Sequence, residues 1–527
     1  MRTARSPFFA LPVLLAAALP AAAIVKPAGI FASNMVLQRD MSVPVWGTAS
    51  PGELVTVAFA GQSVSVFADA SGKWTATLAP LAVSKEDRTM TVTGENTVAF
   101  DNVLVGDVWL CSGQSNMEMT FGWGIYDGKD FIEEAKSLPG IRRVKIPHVT
   151  SLYETDEVRI QIPWGKVSDN MKDTTATGFF FARKLVKELD IPIGLVDDSW
   201  SGCRIEPFMP ADSFSGQPLL ADFEKRLARI DPAAEAGRET WTKCAADARA
   251  WADKVDAAVA AGSTSFPLPQ DIPNLNWVYG ATGQYNAMVA PIVRFPIKGA
   301  IWYQGCSNGG EGESYRVKLS QLIRGWRKAW GYEFPFYFVQ LASYQGMSND
   351  PAGGNGYAKI RDAMRRALDV PKTGMAVTID VGNTSDIHPK AKLFVGERLA
   401  LWALAKDYGK DVVCSGPLFR EQTVEGDKIR ISFDYVGGGL MVGKKDNLSN
   451  APVEPDPDAA LAGFAVCGAD GKWAWADAVI DGDTVVVSSK EVAEPVAVRY
   501  AFRGNPMGKC NLYNREGLPA SPFKTDK

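Results

Sequence analysis

A serine follows directly after a long apolar run. Val103 to Gly113 reads VLVGDVWLCSG, and Gln114, Ser115, Asn116 and Met117 come next. A hydroxyl at the carboxyl end of a strand in an open α/β sheet faces the crevice where such sheets take their ligands, so Ser115 is a candidate nucleophile for acyl transfer. Taken alone, it reads more simply as a helix N-cap. The nucleophile-elbow pattern G-x-S-x-G is not met, because Met117 stands where the second glycine belongs, and this sets the α/β-hydrolase fold aside. A serine nucleophile needs a base, and the chain of 527 residues holds 2 histidines. An imidazole mechanism must therefore use His148 or His388, and a site built on several histidines is excluded. His388 lies in VGNTSDIHPKAK, after the strand-like GMAVTID, whereas His148 in VKIPHVT reads as a loop histidine outside the chemistry.

Acyl transfer also needs donors for the oxyanion that develops in the transition state. Two further loops could supply them. After IPIGLVDDSW the chain reads S-G-C-R-I-E-P-F, where Gly202 can bring a backbone N–H close to a substrate oxygen. After IKGAIWYQG it reads Q-G-C-S-N-G-G, with the amides of Gln304 and Asn308. Arg204 and Glu206 could contact a carboxylate or a sugar hydroxyl, or could pair with each other. Trp123, Tyr126 and Trp200 could line a sugar platform, with packing as their default role. Gln114, beside the serine, joins Gln304, Arg204 and Glu206 among the candidate substrate contacts.

These loops must be held by a sheet. GFFFARKLVKELD, YRVKLSQLIRGWRKAWG and AKIRDAMRRAL carry helical periodicity, and they alternate with continuous apolar runs such as IPIGLVDDSW, IKGAIWYQG, FPFYFVQLA and GMAVTID. Alternation of this kind predicts right-handed βαβ crossovers and a parallel sheet, an α/β fold, over 104–408. Residues 24–103 alternate apolar and polar positions in short runs and read as an N-terminal β domain, and 409–527 read as a C-terminal β domain. A helical segment at about 218–261, rich in Ala, Lys, Glu and Asp, reads as an insertion on the rim of the sheet.

Composition narrows the function classes. The 56 Lys plus Arg nearly balance 60 Asp plus Glu, so there is no field to draw nucleic acid. Residues 1–23 have Arg2 and Arg5 ahead of an apolar run and end in Ala21, Ala22 and Ala23, the layout of a signal peptide. The run is shorter than the roughly 20 residues that span a bilayer. Export to a periplasm or beyond the cell is expected, with no membrane attachment after cleavage. The 7 cysteines include no C-x-x-C pair, so a structural zinc site is not expected, and the odd number leaves at least one thiol unpaired. Neither a metal nor an organic cofactor is called for.

Taken in order, GQSNM, the WSG loop, WYQGCSN and DIHP resemble the motifs of the sialate O-acetylesterases and related carbohydrate acetylesterases of the SGNH hydrolase superfamily, over essentially the whole chain after residue 23. The resemblance implies an SGNH-hydrolase-like three-layer α/β/α domain flanked by β-sandwich-like domains. It implies Ser115 as nucleophile, His388 as general base, and the Ser115 N–H, Gly202 N–H and Asn308 amide as the oxyanion hole. It further implies an O-acetylated sugar or glycan as substrate, with sialic acid esters first and acetylated xylan or other polysaccharides as the alternative.

Two positions depart from the family pattern. In D-x-x-H the acid stands three residues before the histidine, but that position is Ser385, and Asp386 lies two before His388. Asp386 is assigned to orient the imidazole, with Asp380 or a serine–histidine dyad as alternatives. The second departure is Cys306, where the family more often has Glu. Together they motivate a competing reading, a carbohydrate-binding protein that keeps the fold without turnover.

Overall fold

The computed structural model describes residues 24–267 and 280–526. The signal-peptide reading of residues 1–23 lies outside the described residues. The strand that leads to Ser115 runs unbroken from Thr97 to Gly113. Its first half alternates between exposed and buried positions and pairs antiparallel with Ser84–Thr93, while from Val103 onward every residue is buried. The change in hydrophobic pattern near Val103 is thus a change of environment along one strand. It is not a break in the chain. The N-terminal β unit and the α/β layer accordingly share one hydrophobic core, whereas the C-terminal strands enclose a second core of their own.

Beyond Val103 the strand is flanked by parallel neighbours, Ile193–Ser199 on one side and Gly299–Tyr303 on the other. Phe336–Val339 and Thr373–Ala376 extend the parallel sheet past the second, and Ile141–Lys145 pairs parallel with the first. An antiparallel edge strand, Ile162–Lys166, closes that side. Every residue of the Ile193–Ser199 and Gly299–Tyr303 strands is buried, which is why they read as continuous apolar runs.

Alternate side chains send the two faces of this sheet to different helices. Trp109 packs edge-on against Phe181 of the Ala176–Leu189 helix, and Tyr337 stacks near Trp402 of the Lys392–Asp407 helix. On the opposite face Trp302 and Phe336 meet Trp326 of the Glu313–Trp330 helix. This is the three-layer α/β/α architecture, flanked by β-sheets at both ends of the chain. Helices at Ala221–Ala228 and Glu235–Ala260 form the excursion after the Ile193–Ser199 strand, with almost all of their residues at least partly exposed.

The C-terminal unit is fastened to the α/β layer through Arg361, which is fully buried. Its guanidinium donates to the carbonyls of Leu341 and Ala342 in the α/β layer and to those of Arg503 and Gly504 in the C-terminal unit. Among the described residues no helix is long and apolar enough to cross a membrane.

Candidate active site

Strand register brings three loops together. Gly113 is the register partner of both Ser199 and Tyr303, so Gln114-Ser115, Trp200-Ser201-Gly202 and Gln304-Gly305 leave the sheet side by side. The approach is close enough to require glycine. At φ +133° Gly113 lies so near its neighbour that a Cβ would fall 2.3 Å from the Tyr303 carbonyl oxygen. Gln114 ties the loops together, its Oε1 accepting from the N–H of Gly305 at 2.9 Å and of Ser307 at 3.4 Å.

Ser115 begins a single helical turn, Ser115–Glu118, so its N–H has no intrahelical acceptor. Its hydroxyl makes no hydrogen bond to other described residues. Gly202 sits at φ +77°, is exposed, and would have open space around a Cβ. Its N–H is likewise unused within the described protein. The two backbone donors implied for the oxyanion hole therefore stand free at the same sheet edge.

Asn308 does not stand free. Its Oδ1 accepts from Ile205 N–H at 3.1 Å and from Gln304 Nε2 at 2.8 Å, which fixes the orientation of the amide. Its Nδ2 then donates to Glu311 at 2.9 Å and, more distantly, to Glu206 at 3.4 Å. The residue is 1% exposed, and its amide also fastens the loop through these internal partners.

Three expected substrate contacts also lie inside the protein. Gln304 and Glu206 are fully buried, and Gln114 nearly so. Gln304 donates to the Cys203 carbonyl and accepts from the Tyr315 hydroxyl. Glu206 accepts from Lys318 Nζ at 2.7 Å and from Arg204. Arg204, a third exposed, spends its guanidinium on Glu206, Glu311 and the Ser307 carbonyl, so the internal ion pair is the arrangement found. Burial raises the cost of charge on Glu206, but Lys318 and Arg204 outweigh it and hold its pKa below the usual carboxylate value.

His388 reaches this edge through a tether. Asn116, next to the nucleophile, donates from Nδ2 to the carbonyl of Ile387 at 3.0 Å, and Ile387 precedes His388. No direct hydrogen bond joins the Ser115 hydroxyl to the His388 imidazole, which is brought to this edge by the Asn116 tether. Asp386 Oδ1 accepts from the His388 backbone N–H at 2.8 Å and approaches the ring Nδ1 at 3.5 Å. Asp380 is engaged elsewhere, both of its oxygens held by Arg398, at 2.6 and 2.7 Å, inside the core. His388 has a pKa below that of free imidazole, first because it is partly desolvated and next because of the positive charge of Lys392. Trp123 stands beside it, the rings edge to face at 5.4 Å, and is 44% exposed.

Several supporting residues carry no signature of their own in the motifs. Glu118 lies three residues after Ser115 on the same turn, and its Oε2 accepts both the N–H of Ser201 at 2.7 Å and the Ser201 hydroxyl at 2.5 Å. Its Oε1 faces Lys145 at 3.1 Å and His148 at 2.9 Å. Burial favours the neutral acid, but the hydrogen bond from His148, the charge of Lys145 and the Ser201 hydroxyl prevail and hold its pKa at about 2. His148 also stacks on Trp200, with centroids 4.7 Å apart. Thus the loop histidine props the glycine loop instead of standing apart. The available signal for Glu118 was its i, i+3 spacing from the serine.

The cysteines near these loops are free thiols: Cys111 and Cys203 are buried and Cys306 partly so. Burial raises the pKa of each, the opposite of what a thiolate nucleophile needs.

A three-layer sheet with a serine turn, a glycine loop and a histidine loop at its carboxyl edge defines an SGNH-type hydrolase. A family model described as "Carbohydrate esterase, sialic acid-specific acetylesterase" matches residues 270–405. Mouse sialate O-acetylesterase is 28% identical over 544 residues, spanning 93% of this chain and 92% of its own. The human sialate O-acetylesterase is 28% identical, spanning 97% and 95%. The crystal structure of a carbohydrate acetylesterase from Xanthomonas citri matches at a TM-score of 0.78 with 33% identity, over 96% of this chain and 100% of that one. The chain belongs to the carbohydrate acetylesterase family and is a carboxylic ester hydrolase.

Proposed function

We propose that the protein is an exported serine esterase that removes O-acetyl groups from carbohydrates, sialic acid esters first. The observation that carries the mechanism is the register around Gly113, which sets Ser115 beside the free N–H of Gly202 while Asn116 tethers the His388 loop to the same turn. Ser115 Oγ attacks the acetyl carbonyl carbon as His388 takes its proton. The carbonyl oxygen becomes an oxyanion that accepts from the Ser115 and Gly202 N–H groups. Collapse breaks the bond to the sugar oxygen, which leaves with the proton from His388, and an acetyl ester remains on Ser115. Water then gives a proton to His388 and attacks that ester, and acetate departs as Ser115 regains its hydrogen. Asp386 orients the imidazole from a partly exposed position.

Trp123 supports a sugar as the alcohol part of the ester. A large exposed indole beside the base offers an apolar face of the size and shape of a pyranose ring. The family match and the sialate O-acetylesterase relatives favour sialic acid esters, and the Xanthomonas citri relative keeps other acetylated carbohydrates as the alternative outcome. Export rests on the layout of residues 1–23, with cleavage after Ala23. The mass of the protein recovered from culture fractions checks it: a mature chain beginning at Ile24 is expected.

The test is acetate release from O-acetylated sialic acid, acetylated xylan and 4-nitrophenyl acetate by the parent protein, Ser115→Ala and His388→Ala. Release by the parent, with at least a ~10²-fold loss in both variants, is expected. Full activity in folded Ser115→Ala would overturn the assignment, and the preferred sugar decides between the two substrate classes.

A further inference from the structure

Lys392 opens the Lys392–Asp407 helix, four residues after His388, and is fully buried. Its Nζ donates to Asn116 Oδ1 at 2.6 Å and lies 5.2 Å from the centre of the Tyr303 ring. Among the described residues it forms no ion pair with a carboxylate. A buried ammonium with one neutral acceptor and an aromatic face is a costly arrangement that persists only where the surroundings impose it.

Asn116 makes the arrangement functional. Only its oxygen can accept from the amine, so its Nδ2 is directed to the Ile387 carbonyl at 3.0 Å, with Cys306 Sγ at 4.0 Å. One amide therefore links the helix start, the residue after the nucleophile and the residue before the histidine. Cys306 stands where the resembling motif more often carries Glu. A carboxylate in contact with Asn116 would neutralise the neighbouring ammonium, whereas a thiol leaves its charge free to act on the imidazole.

We infer that Lys392 is a positioning residue for the Ser115 and His388 pair, holding the histidine loop against the nucleophile turn through Asn116. This rests on the proposed roles of Ser115 and His388. The titration behaviour agrees. His388 is lowered by desolvation and then by Lys392, with Asp386 opposing. Lys392 is brought down to about 7 by burial, against the opposing influence of Cys306 and Asp386. The charged and titratable groups facing the pair are thus Cys306 and Tyr303 from the strand end and loop beyond it, and Asp386 from the histidine loop. A base must be neutral to accept the serine proton, so a cation beside His388 extends activity to lower pH.

The experiment uses the full-length protein and compares the parent with Lys392→Met and Cys306→Glu. For each, kcat and KM for 4-nitrophenyl acetate are measured from pH 5 to 9, alongside the melting temperature. Lys392→Met removes both tether and charge. It is expected to lower kcat at the plateau about tenfold or more, with KM within about twofold, and to move the acid limb to higher pH. Cys306→Glu keeps the amine but offsets its charge, and is expected to move the acid limb in the same direction. A purely structural lysine would lower the melting temperature without moving that limb. Folded variants with the limb unmoved overturn the inference, and if Lys392→Met does not fold, the Cys306→Glu profile decides alone. Full activity in Ser115→Ala would instead locate the failure in the proposed mechanism.

Discussion

Replacing Glu118 with Gln tests whether the glycine loop owes its position to the nucleophile's own helical turn. The carboxylate accepts two hydrogen bonds from Ser201 on one oxygen and faces Lys145 and His148 with the other. Its pKa falls from an ordinary 4.5 to about 2, which at about 1.4 kcal/mol per pKa unit corresponds to about 3 kcal/mol of stability. The sign follows from linkage. A carboxyl depressed on folding stabilises fully above its unfolded pKa, and the contribution is lost as pH falls through the folded value. The parent should therefore exceed Glu118→Gln in stability by about 3 kcal/mol at pH 6–8, and the difference should close between about pH 5 and pH 2. An amide oxygen can still accept one Ser201 bond, so the loop loosens without collapsing. Loss of an oxyanion donor costs about 10²–10³ in kcat, and its partial displacement should cost about 10–10², with KM for a small ester little changed. Denaturant unfolding across pH and steady-state hydrolysis of 4-nitrophenyl acetate measure the two effects. A folded variant with kcat within about twofold of the parent would refute the link between Glu118 and the oxyanion loop, and a stability difference independent of pH would refute the electrostatic account.

Four other substitutions discriminate between roles. Asp386→Asn should lower kcat about tenfold or less, because that carboxylate is partly exposed and 3.5 Å from the ring, whereas Asp380→Asn should act on folding, costing about 3–5 kcal/mol in denaturant unfolding by leaving buried Arg398 without its partner. Trp123→Ala should raise KM for an acetylated sugar about tenfold while leaving hydrolysis of ethyl acetate, followed by pH-stat, within about twofold; equal effects on both esters would remove the sugar-platform role. Asp198 is fully buried, both of its oxygens lack a hydrogen-bond partner among the described residues, and burial, reinforced by Asp197, pushes its pKa well above the ordinary value. Folding therefore favours its protonated form, so the parent should lose stability relative to Asp198→Asn as pH rises above about 4, by up to ~1.4 kcal/mol per pH unit, and parallel melting curves from pH 4 to 8 would contradict this.

The pattern of hydrophobicity was enough to find the sheet. Strands buried on both faces leave continuous apolar runs, and the loops that follow them emerge at one edge because the strands are parallel. For that reason the sequence alone puts Ser115, Gly202 and His388 at one edge of the sheet. Lys392 was also accessible in principle, because it shares the buried stripe of its helix with Val395 and Leu399. Its meaning was not, since the spacing says nothing of Asn116.

What the sequence determined, then, is the order of the elements and the residue types carried at their ends, because both depend on local propensity and periodicity. Tertiary structure alone decided which polar groups are spent. Asn308, Gln304 and Glu206 have the right chemistry for a substrate, but partners from distant segments saturate them inside the protein. Asp380 is taken by Arg398, and His148 is drawn to Glu118 across the sheet edge. Hydrogen-bond capacity is finite and directional, so whether a group is available for catalysis depends on what packs against it, and that is set by contacts between residues far apart in the chain.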